Sequence, residues 1–463
     1  MERKNAWAAY AGDDGKVEAF AKAYCDFINN GKTERECVAY GEKLAKAHGF
    51  EDLNAAVRSG KKLEAGARVY ANWMGKSFML FVLGEKPLEE GMNILGAHID
   101  SPRIDVKQNP LYEDTDLAYL DTHYYGGIKK YQWVAIPLAL HGVIVRKTGE
   151  KVIINIGEDE NDPVFCISDL LVHLAQEQMT KNAKEVVEGE ALNLIVGGRP
   201  LEGEEKDAVK ANVLKLLADK YGVEEEDFLS AELEIVPAGK ARDMGFDRSM
   251  ILAYGHDDRV CAYPSMMAVL DYEGTPEYTL CCIVIDKEEI GSVGATGMAS
   301  HYLENTVAEL YACTADYCEL AVRRCLRNSR MLSSDVSAGY DPNFASAFEK
   351  KNSAFLGRGI CFNKFTGSRG KSGSNDANPE FMASLRKIMD DAGVAFQTAE
   401  LGRVDLGGGG TIAYLCAKYG MNVIDSGIPV LSMHAPYEVI SKVDLYEGYR
   451  GYCAFLQGAK PVE

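Results

Sequence analysis

Thr279-Leu280-Cys281-Cys282-Ile283-Val284-Ile285-Asp286-Lys287-Glu288-Glu289-Ile290-Gly291-Ser292 is the stretch on which the reading of this chain turns. Its first seven residues form a short apolar run of strand type. Directly after it stand two adjacent carboxylates, Glu288 and Glu289, which repel one another unless a cation lies nearby. A surface turn is the plain alternative. The Gly291 to Gly297 segment lacks the Gly-Lys-Ser/Thr ending of a phosphate loop, so a nucleotide site is rejected.

Outward from this run the rhythm is regular. A strand at 251–254 precedes a helix from about 259, and the strand at 279–285 precedes a long helix over about 301–327. Further strands are predicted near 331–334, 359–362, 394–398, 423–424 and 430–432, with the Gly407–Gly410 run opening a helix. Alternation of this kind predicts an α/β fold with helices on both faces of a sheet. Ligand sites in such sheets gather beyond the C-terminal strand ends. The same kind of residue recurs there: His98 after 93–97, Asp257 after 251–254, Glu288 and Glu289 after 279–285, Asp335 after 331–334, and His434 after 430–432.

Before this region, helices are expected over 17–28 and from Thr33 to about Gly49, where Thr33 and Glu36 form a capping-box pattern. Strands follow at 67–74, 78–83 and 92–97. From about 104 to 250 the texture changes: β-type segments (117–125, 151–156, 192–196, 233–236) alternate with Gly, Pro and acidic linkers, with helical stretches near 168–179 and 204–221. An inserted domain at 105–249, interrupting a catalytic domain of 1–104 and 250–463, accounts for this shift. A chain of 463 residues is long for one domain.

Composition narrows the function. The net charge of −19 disfavours nucleic acid and anionic membranes as partners. No apolar run is long enough to span a bilayer, and the N-terminal residues do not read as an apolar leader, so a cytoplasmic protein is expected. Twelve cysteines without a CxxC pair predict reduced thiols rather than a structural zinc site.

Imidazole and carboxylate donors together suit zinc, cobalt or manganese. Two histidines with several carboxylates exceed the needs of one ion and suit two divalent ions acting on one water. Each motif also has a simpler explanation. His98 could be a core histidine held by Asp100, and Asp257-Asp258 could be a turn or helix N-cap.

Taken together, His98-Ile99-Asp100-Ser101-Pro102, Asp257-Asp258-Arg259, Glu288-Glu289-Ile290-Gly291-Ser292, Ser334-Asp335, Gly408-Gly409-Gly410-Thr411-Ile412 and Met433-His434 resemble the family of aspartyl aminopeptidase and vacuolar aminopeptidase I. The resemblance implies a zinc-peptidase-like α/β/α sandwich with an inserted β-rich dimerisation domain, and dimers assembled into a dodecamer acting on peptides. It implies that His98 and Asp335 hold one ion, that Glu289 and His434 hold the other, and that Asp257 bridges them. Glu288 is then the general base, Asp100 supports His98, and the Asp257–Asp258 peptide is cis. His173 is the aligned candidate for a histidine that reaches a neighbouring subunit's site; His123 competes with it. In the segment from Asn363 to Asn375, Lys364 or Lys371 could meet an acidic first residue of the substrate, although the Arg/Tyr stretch expected next is replaced by Gly, Ser and Lys. The alternative within the same clan is a carboxypeptidase or amide deacylase. A non-enzymatic scaffold is a third reading, against which an intact Glu288 argues.

Overall fold

The computed structural model describes residues 4–367 and 369–462. The chain divides into two compact units. One comprises Met1–Asp100, Ala241–Met433 and Glu438–Glu463; the other comprises Ser101–Lys240 and His434–Tyr437. The short return of 434–437 to the second unit has no counterpart in the sequence-based division.

The first unit is organised by a nine-stranded mixed sheet. Its spatial order is Glu51–Asp52, Arg68–Trp73, Ser77–Val82, Thr279–Ile285, Met92–His98, Arg330–Ser334, Asn422–Gly427, Ile360–Asn363 and Phe396–Thr398. The interior strand Thr279–Ile285 explains the architecture. Successive side chains of a strand point to opposite faces, and here both faces are covered. Leu280, Cys282 and Val284 enter one apolar core, whereas Cys281, Ile283 and Ile285 enter another. Neighbouring Ser77–Val82 does the same, with Phe78, Leu80 and Val82 on one side and Met79 and Phe81 on the other. Burying such side chains contributes roughly 1.5–3 kcal/mol each, which is why these runs read as continuously apolar.

Helices Gly15–Asn30, Glu34–Ala47, Pro379–Asp391 and Lys442–Gly458 supply the first core; Leu53–Ser59, Tyr302–Thr314 and Glu319–Asn328 supply the second. The capping box forms: the Thr33 hydroxyl accepts from the Glu36 amide at 3.2 Å, and the Glu36 carboxylate accepts from the Thr33 amide at 3.1 Å.

The structure corrects four expectations in this unit. The helix predicted over 301–327 is two helices, interrupted at 315–318. The Gly407–Gly410 run stays non-helical, and the helix after it is only Ala413–Ala417. The strand before Asp257, Met250–Ala253, lies outside the main sheet, in an antiparallel three-stranded sheet with Arg242–Met244 and Glu438–Ser441. The strand before His434 is reduced to Pro429–Val430, paired with Ser337–Ala338.

The second unit carries a six-stranded antiparallel sheet, ordered Lys151–Ile156, Leu138–Val145, Ala231–Pro237, Arg103–Asp114, Leu117–Tyr125 and Leu194–Gly197. The helix Ala208–Tyr221 accompanies it. The helix predicted over 168–179 is absent; the segment is a series of turns with one 3-10 turn, Gln178–Thr180. Its apolar residues are contiguous rather than spaced for one helical face, and Leu170, Leu171, Val172 and Leu174 stay exposed. All twelve cysteines are free thiols. Among the described residues no helix is long and apolar enough to cross a membrane.

Candidate metal centre

Three parallel neighbours in the main sheet, Thr279–Ile285, Met92–His98 and Arg330–Ser334, end at the same edge. Their ends deliver His98, the turn Glu288–Ile290, and Asp335. Asp335 is seated by a close backbone approach. Its amide donates to the Ser426 carbonyl at 2.8 Å, and a Cβ on Gly427 would lie 1.9 Å from the Asp335 carbonyl oxygen. Asp257 arrives from the opening of His256–Leu270, through a cis Asp257–Asp258 peptide, and its amide donates to Glu438 at 3.0 Å.

These elements converge on His98, which is 2% exposed. Its Nε2 lies 3.2 Å from Asp257 Oδ1, 3.8 Å from Asp335 Oδ1 and 4.0 Å from Glu288 Oε2. Its Nδ1 lies 2.9 Å from the Asp100 carbonyl oxygen and 3.3 Å from Asp100 Oδ1. The Asp100 carboxylate also accepts from the amides of Glu288 and Glu289, at 3.1 and 3.2 Å. It therefore orients a histidine and holds the turn that carries the paired glutamates.

Around His98, donor atoms form two groups of three, each within 4.8 Å of one another: His98, Asp258 and Asp335, and His98, Asp257 and Glu289. An ion about 2.1 Å from each donor needs donors this close, give or take small side-chain movements. Nitrogen and carboxylate oxygen without thiolate is a donor set that suits a catalytic divalent ion.

The electrostatics agree. Burial pushes the Glu288 carboxyl up to about 8; Asp335, Asp100 and Asp257 add to the shift and His98 opposes it. Burial, and then Asp335, hold Asp258 well above the ordinary carboxylate range. Burial opposes a charge on His98, but hydrogen bonding to Asp100, Asp257 and Asp335 outweighs it and raises the imidazole well above its usual range. Packed carboxyls of this kind hold protons where a cation is not present.

The remaining candidates have other neighbours. His434 groups with the second unit, where its Nδ1 lies 2.9 Å from the Gly127 carbonyl oxygen. His173 sits in the exposed turns of 168–179 rather than on a helix. His123 is exposed on Leu117–Tyr125, with Nδ1 2.8 Å from the Tyr124 carbonyl oxygen. Lys364 and Lys371 both pair with Asp376, Lys371 at 3.0 Å; Ser368, within the same segment, lies outside the described residues.

Three residues near the centre escaped sequence reasoning. Asp258, read as part of a turn, accepts from the His98 amide at 3.3 Å. Glu438 anchors the Asp257 amide. Asp425 is a buried carboxyl on Asn422–Gly427, hydrogen-bonded by Thr411 and pushed up to about 7 by burial, with Asp335 adding to the shift. An acid within an apolar strand segment was the available signal for Asp425.

Comparison with known proteins decides the family. The model described as "Aminopeptidase I zinc metalloprotease (M18)" matches residues 27–456. The chain belongs to the M18 family of aminopeptidases. "Probable M18 family aminopeptidase 1" of Clostridium acetobutylicum is 58% identical over 459 residues, covering 98% of each chain. The crystal structure of an M18 aminopeptidase from Thermotoga maritima superposes with a TM-score of 0.94 at 43% identity, covering 99% of this chain and 100% of the other. A dodecamer of S. cerevisiae mApe1 shares the fold, with a TM-score of 0.75 at 21% identity over 94% of this chain and 95% of its own. The M18 chain described here is thus a zinc metalloprotease of aminopeptidase type, and the carboxypeptidase or deacylase alternative is not favoured by these relatives.

Proposed function

We propose that this M18 enzyme removes N-terminal residues from peptides with two divalent ions, most simply zinc, with cobalt or manganese as substitutes. The observation that carries the reading is the pair of three-donor groups sharing His98, with Glu288 4.0 Å from its Nε2. In this reading His98 and Asp335 would hold one ion, Glu289 and His434 would hold the other, and Asp257 would serve both. Support for His434 comes from its backbone: Ser432 and His434 both hold positive φ, 59° and 65°. Non-glycine residues keep such conformations where their surroundings enforce them, commonly at functional sites.

When bound, the ions supply polarisation of the scissile carbonyl and acidify the attacking water. Glu288 takes that water's proton and returns it to the leaving amine. Asp100 keeps the Glu288 turn and the His98 ring in register. Lys364, Lys371 and Asp376 form a cluster with one net positive charge, enough to favour an acidic first residue without requiring it. The exposed Leu170-Leu171-Val172-His173-Leu174 segment supports self-association of the inserted region 105–249 into dimers and a dodecamer, with His173 a contributor to a neighbouring subunit's site.

The test is Glu288→Gln. Zinc content measured by plasma emission should stay at the parent's level while kcat falls by about 10²–10⁴-fold. A variant that binds zinc and hydrolyses leucyl- and aspartyl-peptides at the parent's rate would remove Glu288 from the mechanism.

A further inference from the structure

The second unit holds a cavity that the peptidase chemistry does not use. Its volume is about 500 Å³, and its lining is almost wholly apolar. One wall is the antiparallel sheet. Leu140 and Ile144 from Leu138–Val145, with Leu233 from Ala231–Pro237, share one face there, since Leu140 and Ile144 stand an even number of residues apart and Leu233 pairs opposite Gly142 between them. The other wall is Ala208–Tyr221. Val213, Leu216 and Leu217 are spaced for one helical face and point at the same cavity.

This helix touches its sheet at Gly197 through Val209 and Val213, but its later turns leave the cavity open. Of its fourteen residues only Val209 is buried, and Leu216 is 60% exposed. Protein interiors pack to near-crystalline density, with few voids larger than a water molecule. Ligand sites, by contrast, are apolar clefts of roughly 300–1,000 Å³ with a few placed polar groups. The polar groups here are at the helix end. Asp219 is engaged by Lys215 at 2.5 Å. Lys220 lines the cavity and makes no ion pair among the described residues; its ammonium lies 5.1 Å from the centre of the Tyr221 ring.

We infer that this cavity binds a free medium-chain carboxylate, its alkyl chain between the sheet and Ala208–Tyr221 and its head group on Lys220. The full-length enzyme in its native assembly is titrated calorimetrically with sodium hexanoate, octanoate and decanoate below their micellar concentrations, and with 1-decanol. One saturable site per chain is expected, tightening by roughly tenfold for every two methylenes added. Lys220→Ala should weaken decanoate by up to about fivefold and leave decanol unchanged. Val213→Phe and, separately, Leu217→Phe should weaken both ligands, with peptidase activity at the parent's level as the control for folding. Absence of saturable binding, affinity insensitive to chain length, or affinity untouched by both Phe variants would overturn the assignment. So would a crystal structure of the assembly in which a neighbouring copy's side chains fill the cavity.

Discussion

The two sheets of this protein solve burial differently. In the first unit, strands such as Thr279–Ile285 bury both faces, so no position along them accepts a charge without large cost. Ionisable groups are thereby displaced to the strand ends, where they crowd together and acquire the shifted proton affinities seen around His98 and Glu288. In the second unit the antiparallel sheet keeps exposed positions, such as Ile153 at 66%, and its helix leaves Leu216 60% exposed beside an apolar cavity. One sheet concentrates chemistry at its edge; the other leaves apolar surface free for ligands or further copies of the chain.

The largest expected effect is on the crowded edge. Dialysis against a chelator should abolish peptidase activity, and zinc should restore it; activity that survives verified metal removal would separate the edge carboxylates from any ion. Next comes Asp100→Asn, which weakens the hold on His98 and on the Glu288 turn together. A loss of about 10–100-fold in activity or metal affinity is expected, read from kcat and from competition with a chromogenic chelator.

A matched pair of substitutions tests the contrast in burial itself. Ile283→Ala should destabilise by about 2–5 kcal/mol in urea unfolding, and Ile153→Ala by no more than about 0.5 kcal/mol. Equal costs would erase the distinction. Buried carboxyls of the first unit also set a pH slope. Glu288 is raised from 4.5 to about 8; Asp425, and Asp444 buried on Lys442–Gly458, are raised from 3.8 to about 7, all chiefly by burial. Each carboxyl binds its proton more tightly folded than unfolded, so metal-free protein should be most stable below pH 4 as far as these groups act. That contribution falls as pH rises through about 7 to 8 and then levels off. Zinc should flatten the Glu288 part of the slope, measured as unfolding midpoints across pH 5 to 9.

Where burial was two-sided, the sequence was easy to read. Unbroken apolar runs located Ser77–Val82, Met92–His98 and Thr279–Ile285, and the acids just beyond them marked the centre. Thr33 and Glu36 marked a helix start because capping is local chemistry. Legibility failed where tertiary contacts decide. The contiguous apolar residues 170–174 imitated a helix that nothing within the unit stabilises. The strand before Asp257 showed a strand pattern but gave no sign that it pairs in a separate small sheet. Asp258 and Glu438 matter through hydrogen bonds to distant backbone amides, which no local pattern announces.

The Asp100 carboxylate touches His98 with one oxygen while both oxygens receive the amides of Glu288 and Glu289. This makes the imidazole and the glutamate turn parts of one lever with a shared fulcrum. Were His98 to hold the zinc as proposed, exchanging it for an ion of larger radius would displace the imidazole, tilt the fulcrum and carry the Glu288 turn with it. Differences in rate between metals would then record mechanical displacement of the glutamate as well as the acidity each ion confers on water.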